Sequence, residues 1–70
     1  MDSTTAKRIA RLEAASTEAL RFIERADAAV AALVAREGYV AGCPETAAAK
    51  RASMDLTRAL AMMRRNPYNA

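Results

Sequence analysis

Across residues 4–37 the chain places apolar or small side chains at Ile9, Leu12, Ser16, Ala19, Ile23, Ala26, Val30 and Leu33. The steps between them alternate three and four, the spacing of a heptad stripe along one side of a helix. Leu20, Phe22 and Val34 widen the stripe on its flanks, and no glycine or proline interrupts it. The pattern predicts one helix of about 34 residues, or about 50 Å at 1.5 Å per residue, with Ser3 or Thr4 as its N-cap. Gly38 stands where the left-handed residue after a helix is expected.

A short connection follows over 38–43, and then Pro44-Glu45. Proline suits the first turn of a helix and a carboxylate suits the positive end of its dipole, with Thr46 as a further possible cap. From there to residue 65, Ala49, Ala52, Leu56, Ala59 and Met63 again step by three and four, with Leu60 alongside. Arg64 and Arg65 sit at the negative end of the dipole, and Asn66-Pro67 stops the helix. The expected fold is all-α: a single antiparallel hairpin of a long helix (4–37), a loop (38–43), a shorter helix (44–65) and a tail (66–70). In this reading the heptad stripe is the seam between the helices. Its alanines let the backbones approach, and its Ile, Val and Leu supply most of the buried area.

The helices are unequal. Folding back from Gly38, the second reaches only to about Ser16 and Thr17, and leaves Ile9 and Leu12 without an intrachain partner. An unpartnered apolar stripe of this kind normally marks an interface, the alternative being an end that frays in solution, and Ile9, Leu12, Phe22 and Ile23 are the candidate contact residues. Size points the same way. Seventy residues with one cysteine and no histidine cannot add a disulfide or a conventional zinc site to a small core, which leaves self-association as the remedy. A dimer closing into a four-helix bundle, or a larger oligomer, is expected.

Charge adds a second candidate. The net charge is +3. Arg51, Arg58 and Arg65 recur every seven residues along the second helix, with Lys50 and Arg64 beside them and Asp55 the only acid in the row. Guanidinium forks match phosphate and carboxylate, so these five are the candidate anion-binding residues. The alternative is a solvated face, or arginines bonded across the hairpin to Glu13, Glu24 or Asp27. On the first helix, Lys7, Arg8 and Arg11 cluster on the overhang. No helix-turn-helix spacing supports duplex reading, and no aromatic interleaves the arginines for single-strand stacking.

Catalytic constellations are absent from the sequence. Without histidine there is no Ser-His or Cys-His pair, and Gly38 and Gly42 do not form a phosphate loop. Most carboxylates have an arginine three or four residues away, as Glu18 and Glu24 have Arg21, which reads as a solvated helix face. Cys43 beside Pro44 is either a thiolate activated by a helix N-terminus or a small packing residue. No catalytic residue, metal ligand or cofactor is expected, and the chain is read as non-enzymatic. No stretch approaches the ~20 apolar residues of a membrane span. The start lacks the features of a signal peptide, and one free cysteine suits a reducing compartment, so a cytoplasmic location without membrane attachment is expected.

The alanine and arginine bias and the Pro-Glu-started second helix, with Arg51-Ala52-Ser53-Met54-Asp55-Leu56-Thr57-Arg58 at its centre, resemble small bacteriophage helical-hairpin proteins. That group includes host-takeover and anti-defence proteins that bind host proteins or, as oligomers, sequester cyclic oligonucleotide signals. The resemblance is one of architecture, and it assigns no role to any residue. It implies stoichiometric binding, with the chain acting in a host cytoplasm. Two functions stand side by side. One is an oligomeric hairpin that captures, blocks or scaffolds an unidentified protein partner, a phage-encoded inhibitor of a host process being one form of it. The other is an anion-binding module for a cyclic nucleotide signal or nucleic acid. A structural subunit of a larger assembly is a variant of the first.

Overall fold

The computed structural model describes residues 2–36 and 43–65, and within them there are two helices: α1 (Ser3–Arg36) and α2 (Pro44–Arg64). They pack side by side in an antiparallel hairpin with long dimensions of 52 × 18 × 12 Å. The expectations at Gly38 and for the tail over 66–70 fall outside the described residues.

The cap of α1 differs from expectation. Asp2, not Ser3 or Thr4, is the N-cap: its Oδ1 accepts the Thr5 amide at 2.7 Å, and its carbonyl accepts the Ala6 amide at 3.0 Å. A carboxylate accepts more strongly than a hydroxyl and carries the charge that the helix start favours. At α2 the N-cap is Cys43, which makes no side-chain capping bond, and Pro44 occupies the first turn. Thr46 therefore lies within the helix and does not cap it. Glu45 bridges the mouth of the hairpin instead, where its Oε2 accepts Arg36 Nη1 at 3.2 Å and the Cys43 thiol at 3.5 Å. At the far end, Arg11 Nη1 donates to the Arg65 carbonyl at 3.1 Å. These two contacts fix the register. On α1 burial runs back to Ala15, close to the expected Ser16 and Thr17, and half-burial to Arg11, whose side chain reaches Arg65. Residues 5–10 are all exposed.

The seam itself is rotated from the expected stripe. Among the described residues, only Ala15, Ala29 and Ala52 are buried, at 6%, 8% and 4% exposure. Arg11, Glu18, Ala19, Phe22, Ala26 and Ala32 of α1 are half-buried, while Ile23 and Val30 remain 52% and 61% exposed. The line through Arg11, Ala15, Phe22 and Ala29 lies about 100° around α1 from the line through Leu12, Ile23 and Val30, one residue's rotation. The physical reason is close approach. Alanine against alanine lets the two backbones come together along their whole overlap, whereas Ile and Val would hold them apart. On α2 the expected stripe is found: Ala52 is buried, and Ala49, Leu56, Ala59, Leu60 and Met63 are half-buried.

Two outcomes follow. Ala52→Leu overfills the seam and lowers unfolding stability in urea by about 1–3 kcal/mol, whereas Ala28→Leu on the exposed side of α1 changes it by less than about 0.5 kcal/mol. The second concerns acid. The Thr5 amide holds the Asp2 carboxyl below its ordinary 3.8. Glu45 lies below its ordinary 4.5, through a bond from its own amide and then through Cys43 and Arg36. A depressed carboxyl pKa stabilises the fold above the unfolded value and loses that contribution as pH falls through the folded one. The melting temperature should therefore drop on acidification from about pH 5 to pH 3. Replacing both residues (Asp2→Asn, Glu45→Gln) should flatten that slope.

Candidate functional site

The rotation of the seam divides the hairpin into two unlike broad faces. Ile9, Leu12, Leu20, Ile23, Val30 and Val34 are all exposed. At about 100° per residue they fall within an arc of about 80° on α1, broken only by Thr5, Ser16 and Asp27. Leu56, Leu60 and Met63 flank the same side of the seam on α2 and are half-buried. Towards the mouth, Leu33 shares a surface groove of about 420 Å³ with Cys43, Thr46, Ala47 and Lys50. Of the four expected contact residues, Ile9, Leu12 and Ile23 stand together on this apolar face. Phe22 is separated from them and is half-buried towards α2.

The arginine row of α2 lies on the surface of the hairpin. Lys50, Arg51, Arg58, Arg64 and Arg65 are all exposed. Lys50, Arg51 and Arg58 line an open groove of about 480 Å³ together with Ala47, Met54 and Asp55. Arg58 lies 3.8 Å from Asp55 within its own helix, and Arg65 Nη1 meets the Met62 sulfur at 3.5 Å. Among the described residues, none of these arginines pairs with Glu13, Glu24 or Asp27. Arg64 lies well around α2 from Arg51, Arg58 and Arg65, by helical geometry about 100° or more, so the five candidates do not form one site.

The structure adds two arginines that sequence reasoning missed. Arg21 and Arg25 of α1 line a groove of about 320 Å³ with Ala48, Arg51, Ala52 and Asp55 of α2. This groove lies on the other broad face. Ile23 is two residues from both Arg21 and Arg25, which on a helix places it about 160° from each. The expected pairing of Arg21 with Glu18 is present at 3.7 Å, too long for a hydrogen bond, and one Glu18 carboxylate oxygen is buried without a hydrogen-bond partner among the described residues. The sequence shows one half of the groove, since Arg21 and Arg25 are like charges at the i, i+4 spacing that ordinarily destabilises a helix, but nothing there joins them to Arg51.

Cys43 donates its thiol to a carboxylate at the hairpin mouth, so the contact made here is a structural one. Among the described residues, no three His, Cys, Asp or Glu side chains gather as a metal site, and no helix is long and apolar enough to cross a membrane. No family model, curated protein or solved structure matches this chain.

One consequence concerns Glu18. Because its buried carboxylate oxygen lacks a hydrogen bond, Glu18→Gln should leave the melting temperature unchanged or raise it. A large fall in thermal scans would mean that the Arg21 pair carries the contact.

Proposed function

We propose that this chain is a non-enzymatic interaction module that pairs with a second copy through the apolar face of α1 and captures or scaffolds a protein partner stoichiometrically. The observation that carries the proposal is the exposure of Leu12, Ile23 and Val30, at 53%, 52% and 61%, beside a seam made of alanine. A helix that turns most of its Leu, Ile and Val to solvent and mainly methyl groups and Phe22 to its partner has its principal apolar surface still to cover.

Surface area supports pairing. The chain exposes 5260 Å². A compact 7.5 kDa protein exposes about 4,200 Å². The excess, about 1,000 Å², is comparable to the ~800 Å² per partner that a stable interface of standard size covers. Two hairpins stacked with these faces together give a four-helix bundle, in which the Leu, Ile and Val of both copies form the core that one copy lacks. The overhanging turns with Ile9 and Leu12 then meet either the second copy or a helix of the partner protein. The architecture is compatible with the stoichiometric mode of the phage hairpin proteins, and nothing in the fold requires that origin.

The test is the double substitution Leu12→Asp with Ile23→Asp, followed by light scattering on the purified chain. The wild-type protein should have the mass of a dimer or larger species, and the variant should fall to monomer with reduced helicity. A variant that keeps the wild-type mass would remove the apolar face from the account.

A further inference from the structure

We infer that the groove between Arg21, Arg25 and Arg51 is a binding site for a small polyphosphate anion, on the broad face opposite the apolar one. The inference goes beyond self-association and moves the anion site away from the outer arginine row of α2.

The two helices contribute unequal parts. Arg21 and Arg25 stand one turn apart on α1, about 6 Å along the axis, and Arg51 faces them from α2 across a floor made by Ala48 and Ala52. Asp55 completes the lining beside the two alanines, so the three arginines share an open, shallow cleft with one carboxylate. Among the described residues, Arg25 and Arg51 form no ion pair, and Arg21 is held only loosely, 3.7 Å from Glu18. The acids nearby are Glu18 and Asp55, and Asp55 lies 3.8 Å from Arg58. Three lining arginines against one lining carboxylate, Asp55, leave the cleft with a surplus of two positive charges. Like charges gathered at i, i+4 spacing and across a helix interface cost stability unless an anion neutralises them.

The chemistry of the lining selects the ligand. Guanidinium forks donate to the paired oxygens of a phosphate, and three forks suit two or three linked phosphates better than one. The lining residues include no aromatic side chain, so a base would find no stacking surface and recognition falls on the phosphates. At about 320 Å³ the cleft is suited to a short polyphosphate and offers no extended track for a nucleic-acid strand. It lies within one protomer and away from Ile23, so it stays open when the apolar faces are paired.

The test uses inorganic pyrophosphate as probe, titrated into the full chain in low-salt chloride buffer and followed by calorimetry and thermal melting. Sodium sulfate at matched ionic strength serves as the control. Pyrophosphate should bind and raise the melting temperature, whereas sulfate gives a much smaller shift. Arg25→Gln and Arg51→Gln, each checked for wild-type helicity by circular dichroism, should weaken binding by about tenfold. Arg65→Gln and Arg8→Gln, which remove the same charge elsewhere, should change it by less than about twofold. Absence of a pyrophosphate shift, or equal loss in all four variants, would overturn the site. Equal loss would assign the effect to overall charge.

Discussion

The contact on which the rest of the molecule depends is methyl against methyl. Ala15 and Ala29 of α1 and Ala52 of α2 are the only buried hydrophobic residues among those described, and their small size sets both the spacing and the rotation of the helices. Once the backbones are drawn together along that line, geometry leaves little freedom. Ile23 and Val30, about 100° away, must lie on a broad face, and Arg21 and Arg25 must lie on the other. The same seam therefore produces an apolar surface and a cationic cleft.

Close approach is not the same as stability. An alanine methyl adds on the order of 1 kcal/mol when buried, far less than the conformational entropy of ordering two helices. Among the described residues the side-chain polar contacts are few and mostly exposed, and the bridge from Arg36 to Glu45 and the Arg11 bond to the Arg65 carbonyl act at the two ends of the overlap. They fix register more than they add energy. A hairpin built this way gains its main hydrophobic stabilisation only when the Leu, Ile and Val of α1 are covered. Pairing of copies, proposed from that deficit, makes folding and assembly one process.

Much of the fold was legible in the sequence, and the rotation was not. Helix number, antiparallel order and the end of the overlap followed from the three-four spacing, from Pro44 and from the unequal lengths, because each reflects a local backbone preference. The apolar line of α2 was also legible, since its alanines and larger residues fall on one side. On α1 the two kinds of apolar residue fall on different sides. A stripe read from the bulkiest residues follows Leu12, Ile23 and Val30, whereas the neighbouring helix selects the smallest ones, Ala15 and Ala29. Asp2 was overlooked as a cap because Ser3 and Thr4 stand beside it and only the bond to Thr5 distinguishes them. The cleft was hidden for another reason. Arg21 and Arg25 join Arg51 only through the register of the two helices, which no spacing within one helix encodes.

The most direct measurement is the melting temperature of the chain as a function of its concentration, over a hundredfold range, with solution mass recorded at each point. If the apolar face of α1 is covered by a second copy, the melting temperature rises by several degrees with concentration while the mass stays at dimer or above. A monomer that unfolds cooperatively at one temperature throughout the range would contradict the account, because the alanine seam alone would then be enough to hold the hairpin.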